Sequence, residues 1–181
     1  MKKFELTAEF VTNVFGKKLF RIKALVAFGD VEKGELGGFI EKEDNLSHDG
    51  NAWVYGNARV SGNARVSGNA RVSGNARVSG NARVFGNARV SGNAQVSGDA
   101  RVYDDADYAV VKGFGRCFRT TTFFRCKDKI LRVQCGCFYG DLAQFREIVK
   151  KTHGDSKYAK EYLAIADLME LHFSDECGGE Q

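Results

Sequence analysis

Between Asn51 and Tyr103 the chain repeats one phrase, Gly-Asn-Ala-Arg-Val-Ser, almost without change. Valine falls at Val54, Val60, Val66, Val72, Val78, Val84, Val90, Val96 and Val102, and an alanine stands two residues before each, from Ala52 to Ala100. Within a hexad, Ala-Arg-Val-Ser alternates small or apolar with polar, which is the period-2 pattern of a strand with one buried face. Gly-Asn then bends the chain, because both residues tolerate positive φ; the pair drifts to Gly98-Asp99 at the end. A short strand and a two-residue bend cannot make a meander, whose hairpins need reversals. A fixed period this short predicts a solenoid, and a parallel β-helix satisfies it best, each coil pairing with those above and below.

The phrase resembles the hexapeptide-repeat family, in which an aliphatic residue is followed four positions later by a small one, as Val54 is by Ala58 and Val60 by Ala64. The resemblance implies a left-handed triangular β-helix with three hexads per coil, assembled as a homotrimer. The expected fold class is an all-β solenoid core with an N-terminal β cap and a small C-terminal α+β module. The cap takes residues 1–50, the β-helix 51–111, the module 112–173 and a flexible tail 174–181. Nine valines then make three coils, roughly 14 Å tall at about 4.8 Å per stacked strand.

Both ends carry their own patterns. Leu19 to Leu25 alternates, with Phe20, Ile22 and Ala24 on one face and a turn at Gly16-Lys17; Asp30 to Gly38 reads as a loop. Residues 1–50 are expected to cover the open end of the coil, where unpaired backbone groups would invite end-to-end association. Beyond Tyr103, Val110 and Val111 close a last strand, and Gly113 and Gly115 mark a linker. Phe118–Cys126 and Ile130–Phe138 then read as a hairpin, with Leu131, Val133, Cys135 and Cys137 sharing a face. Asp141 caps a helix whose apolar side is Leu142, Phe145, Ile148 and Val149. A second helix follows Gly154-Asp155-Ser156, with Tyr158, Tyr162, Ile165 and Met169 as its stripe. The runs Thr120-Thr121-Thr122-Phe123-Phe124 and Cys135-Gly136-Cys137-Phe138, with Thr152-His153-Gly154-Asp155, resemble a hairpin-plus-helix module that follows hexapeptide repeats in phage and prophage proteins.

The chain has 181 residues, no proline and a net charge of +4. That small excess hides a segregation. Residues 30–50 hold seven acidic residues against Lys33 and Lys42, whereas residues 112–151 hold ten basic residues against Asp128, Asp141 and Glu147. Such a distribution favours an anionic partner or head-to-tail self-complementarity. Met1-Lys2-Lys3-Phe4-Glu5-Leu6 contains no apolar leader, and no run approaches a membrane span. With an odd number of cysteines, five, outside any disulfide framework, the expected location is the cytoplasm, and the phage and prophage resemblance implies that of a bacterial host cell.

The best-known activity that the family resemblance implies is acyl transfer, which needs a base, usually a histidine on a coil. The repeats here hold none; His48, His153 and His172 all lie outside them. The three converging histidines of the carbonic-anhydrase branch are absent too. Cys117, Cys126, Cys135 and Cys137 have the wrong spacing for zinc and read as core thiols. The expectation is a protein without catalytic residues, metal or cofactor.

With three hexads per coil, as the resemblance implies, the outward residues fall into three columns. The first holds Arg59, Arg77 and Gln95 and is expected to face solvent. The second holds Arg65, Arg83 and Arg101 beside Phe85 and Tyr103, and the third Trp53, Arg71 and Arg89 beside Tyr55. Stacked guanidinium groups about 4.8 Å apart repel by roughly 1 kcal/mol per contact before screening, so an anion should offset them. The expected ligand site is therefore Arg65, Arg83, Arg101, Phe85 and Tyr103, joined by Arg116, Arg119, Thr120 and Thr122 of the module. The expected function is non-catalytic capture of a small anionic ligand, and the resemblance to phage proteins implies a nucleotide-like one, a host defence signal that such a protein would sequester. A self-assembling scaffold or protein-interaction module is the alternative. A rigid stack this short offers few phosphate contacts, so nucleic acid is not an expected partner.

Overall fold

The computed structural model describes residues 1–174. Two antiparallel strands, β1 (Phe4–Thr12) and β2 (Lys18–Ala24), lead into β3 (Leu36–Ile40). Nine two-residue strands follow at six-residue intervals: β4 (Trp53–Val54), β5 (Arg59–Val60), β6 (Arg65–Val66), β7 (Arg71–Val72), β8 (Arg77–Val78), β9 (Arg83–Val84), β10 (Arg89–Val90), β11 (Gln95–Val96) and β12 (Arg101–Val102). Their pairing is parallel and skips two strands each time. It gives the sheets β1-β2-β3-β5-β8-β11, β12-β9-β6 and β10-β7-β4. Val60 stands opposite Val78 and Val66 opposite Val84, so one coil is three hexads and the chain is a β-solenoid with three parallel faces.

The stack begins before the uniform repeat. Ile40 pairs with Val60, and Leu46 bridges Val66, so β3, Leu46 and β4 form a first coil. The solenoid therefore has about four turns rather than three. This coil was obscured because Ile40 and Leu46 stand twenty residues before their partners instead of eighteen. The two extra residues fall between Leu46 and Val54. The stretch expected to be a loop to Gly38 is strand from Leu36 onward, and Gly37 and Gly38 lie on coil backbone: a Cβ on either would stand 2.6 Å from a carbonyl oxygen of Val54 or Ala58.

Every alanine and valine of the repeat is fully buried. Trp53 occupies an outward position opposite Arg71, yet it too is fully buried, against expectation. Phe4 and Phe28 cover it edge-on, at ring distances of 6.2 and 5.4 Å. It belongs to the plug that closes the N-terminal end.

The end groups of the ladder are satisfied by side chains. Ala70 and Gly68 accept from Trp53 and Asn51 one coil earlier; the equivalent carbonyls of the first coil, Ala52 and Gly50, have no earlier coil and accept from the Lys3 ammonium at 2.9 and 3.2 Å. On the second face the buried Asn45 amide donates to Ala64 and Gly62 at 2.8 and 3.1 Å. At the other end, N–H groups lacking a further coil donate to acceptors: Arg89 to Asp105, Gln95 to the Thr122 hydroxyl, and Tyr103 to Asp107. Buried backbone polar groups must be paired, and these residues complete the pairing.

The C-terminal module is a four-stranded antiparallel sheet, β13 (Tyr108–Phe114), β14 (Arg119–Arg125), β15 (Leu131–Cys135) and β16 (Phe138–Asp141), followed by α1 (Leu142–His153) and α2 (Lys157–Phe173). Val110, Val111 and Gly113 thus belong to the module's first strand, not to a last coil and a linker. Asp141 caps α1 by accepting from Gln144, and Ser156 caps α2 by accepting from Ala159. Cys137 sits exposed in the Gly136-Cys137 turn, off the face shared by Leu131, Val133 and Cys135, because Cys135 already pairs with Phe138. Ile148 and Tyr158, expected on apolar stripes, are partly exposed. Of the expected tail, residues 175–181 lie outside the described residues. Among the described residues, no helix is long and apolar enough to cross a membrane.

Candidate functional site

Three concave regions collect the residues singled out in the sequence. The first is an open groove of about 770 Å³ along the second face. Arg65, Arg83 and Arg101 stack there in register, each opposite the next. Arg65 and Arg83 are exposed, and their guanidinium groups have no hydrogen-bond or ion-pair partner among the described residues. Arg101 is half-buried and turns its guanidinium onto the carbonyls of Asn81, Asp99 and Ala100, which leaves it less free to meet a ligand. Phe85 lies at the same end and meets Tyr103 edge-on at 5.3 Å. Tyr103 is 53% exposed.

The opposite end of the groove is acidic, which the repeat alone did not reveal: Glu43, Asp44 and Asp49 line it with His48. His48 is engaged on one ring face and at both nitrogens. Its ring stacks on Phe4 at 4.3 Å, its Nδ1 accepts from the Lys3 N–H at 3.1 Å, and its Nε2 faces Glu43 at 2.7 Å. The backbone donor leaves Nε2 to carry the proton, so neither nitrogen is free to act as a base. The hydrogen bond from His48, with Lys2 beside it, holds the Glu43 carboxyl below its usual range. The signal for this wall was the acidic run itself, but its place depended on the two-residue excess in the first coil.

The other columns are less free of partners. Arg71 pairs with Asp30, and Trp53 removes the charge at the start of that column. The first column does not face open solvent as expected. It floors a bay of about 490 Å³ walled by the β1–β2 turn, with Val14 and Phe15 exposed at its tip, and by Gln134 and Cys137 of the module. Ser97 reaches across to Gln134 at 3.0 Å.

The third concave region lies within the module and has a volume of about 490 Å³. Phe138, Phe145, Ile148, Val149 and Tyr162 form its floor, and Arg116, Arg119 and His153 stand on it with Cys117, Cys135 and Cys137. Burial pushes the Tyr162 phenol up to about 12. Arg116 and Arg119 are thus brought together, but not with the second-face arginines. Thr120 is half-buried on β14, and Thr122 is buried with its hydroxyl accepting from Gln95, which anchors the module to the last coil. Among the described residues, no group of three or more His, Cys, Asp or Glu side chains is placed to hold a metal.

Compared with known families, the chain matches the YdcK beta solenoid repeat over residues 52–68, 58–74, 64–80, 70–84, 76–92, 82–97 and 94–106. The match covers the uniform repeats and leaves out β1, β2, the β3 and Leu46 part of the first coil, and α1 and α2. It supports a repeat β-helix family, in agreement with the parallel three-faced stack. No curated protein matches the chain.

Proposed function

We propose that this chain is a non-catalytic binding protein that captures a small anionic, nucleotide-like ligand on the second face of its solenoid, acting as a homotrimer. The observation that carries the reading is the column of Arg65 and Arg83, two exposed guanidinium groups in register with no partner of their own, beside the Phe85–Tyr103 pair. A bidentate cation suits phosphate or carboxylate, and an adjacent aromatic edge suits a base or other planar group. The occupied ring of His48 argues against acid–base catalysis in the same groove. In its narrower form the reading places the coil among left-handed hexapeptide-type helices and the protein among phage proteins that sequester a host signal in the cytoplasm.

Thermal unfolding with cyclic and ADP-ribose-type nucleotides tests it. A ligand at a hundredfold excess over its Kd should raise Tm by roughly 5 °C or more. Arg65→Gln with Arg83→Gln should abolish the rise, and a native mass should show three chains. No rise with any of these nucleotides would sink the ligand reading.

A second reading, a self-assembling scaffold without ligand, is favoured by the carboxylates of Glu43, Asp44 and Asp49 in the same groove, which a neighbouring copy's arginines would complement. Under it, Arg83→Glu changes the native mass and no nucleotide shifts Tm.

A further inference from the structure

The module's cavity has a different character from the groove and shares no lining residue with it; Cys137 is the wall it has in common with the bay over the first column. We infer that it is a second binding site, for a small amphipathic anion: an aryl or acyl body carrying one phosphate or carboxylate.

Its lining includes Arg116, Arg119 and His153 and no carboxylate, whereas the groove mixes both signs. Neither guanidinium has a hydrogen-bond or ion-pair partner among the described residues. The acid one residue from Tyr162, Glu161, is engaged elsewhere: it accepts from the Gly115 N–H at 2.8 Å and faces Lys157 at 3.7 Å. Beneath the cations lies an apolar floor in which Phe145 and Tyr162 meet edge-on at 5.8 Å. A cation beside a low-dielectric floor attracts an anion more strongly than one in open water. The volume lies in the range of small-molecule sites.

The backbone is cut to this arrangement. A Cβ on Gly136 would stand 2.5 Å from the Arg119 guanidinium, and one on Gly115 would stand 2.2 Å from the Tyr162 hydroxyl. Both glycines have positive φ. Phe118, next to Arg119, is a bulky residue at φ 49°, in a turn that holds Arg116 and Cys117 at the mouth. Strain of this kind persists where surrounding structure over-determines it, and it concentrates at ligand sites. The Tyr162 phenol, whose hydroxyl is 3.4 Å from the Phe114 carbonyl, stays neutral through the physiological range.

Calorimetric titration of the full chain with 1-naphthyl phosphate, 1-naphthoate, 1-naphthol and inorganic phosphate tests the inference. Binding of either or both naphthyl anions is expected, with naphthol and inorganic phosphate weaker by about tenfold or more. Arg116→Gln with Arg119→Gln should weaken the anion by a similar factor, and so should Ile148→Glu, which adds a carboxylate without touching the arginines. Arg65→Gln with Arg83→Gln should leave it unchanged, so failure here and failure of the second-face reading are separable. Bound ligand should also slow iodoacetamide alkylation of the exposed Cys117 and Cys137, while buried Cys126 stays unreactive throughout. The inference is overturned if neither naphthyl anion binds at millimolar concentration, if naphthol binds as well as the anions, if the variants do not weaken binding, or if the two thiols are unprotected.

Discussion

At the scale of single residues, the most consequential side chains are those that end the ladder rather than those that repeat. Lys3 is nearly inaccessible, yet it keeps an ammonium against two carbonyls and the Phe28 ring. Burial pushes its pKa down to about 8 from 10.5, with Asp49 opposing. Between those two values the unfolded chain binds the proton more tightly than the folded one, so this residue's contribution to stability rises with pH across that window and is flat below it. Urea unfolding of the native protein and of Lys3→Met should therefore diverge in the native protein's favour from pH 7.5 to 10, at about 1.4 kcal/mol per unit and a few kcal/mol at most. A difference that stays flat would mean that the carbonyls compensate fully for the lost water. Asn45 acts without titrating: Asn45→Ala leaves the Gly62 and Ala64 carbonyls of the second coil without their donor and should cost on the order of 1–3 kcal/mol in the same measurement. The drift to Gly98-Asp99 has a similar cause. Asn63 donates to Asn81 and Asn81 to Asp99, and the last residue of that column has no further coil to donate to, so an acceptor-only carboxylate suffices.

At the scale of the element, each coil turns on a glycine with φ near 65°, but the glycines differ in what lies above them. A Cβ on Gly80 would stand 2.8 Å from the Gly98 nitrogen, while one on Gly92 would meet nothing within 4 Å. Gly92→Ala should cost about 1 kcal/mol, the penalty of the left-handed conformation alone. Gly80→Ala must also push adjacent coils apart and should cost at least twice that; equal losses in denaturant unfolding would show that the stack yields easily. This contrast explains which features were legible in the sequence. Residues repeating every six positions declare their face and their depth, but the period alone does not set the register; the three arginine columns rested on the three-hexad coil that the family resemblance implied, and the pairing of Val60 with Val78 bears it out. Trp53 could not, because its outward position is set by the coil but its burial is set by Phe4 and Phe28, far away in sequence. The acidic wall of the groove was hidden by two extra residues before Val54. Of the module's cavity only Arg116 and Arg119 were singled out in the sequence; its shape was not, since antiparallel pairing brings Arg119 of β14 beside the Gly136 turn, and Phe145 and Tyr162 reach it from the two helices.

At the scale of the whole molecule, two cores meet on one strand. Phe124 and Cys126, on and just after β14, belong to the solenoid core, with Ala100 bridging Cys126, while the neighbouring Phe123 belongs to the module core with Val133, Phe145 and Tyr162. Adjacent strand residues point to opposite faces, so one β14 serves both. Truncating either aromatic ring in a packed core should cost about 3–5 kcal/mol, but the loss should be distributed differently. Phe123→Ala should lower hydrogen-exchange protection in β14–β16, α1 and α2 while leaving the coils from β5 to β10 protected as before. Phe124→Ala should weaken both, because it opens the end of the solenoid and removes the seat of the module together. The native protein should likewise show a sub-global opening of the module below the free energy needed to open the coils. If both variants lost protection uniformly along the chain, the cores would be one cooperative unit, and the shared strand would transmit an opening in the module to the arginine column as well.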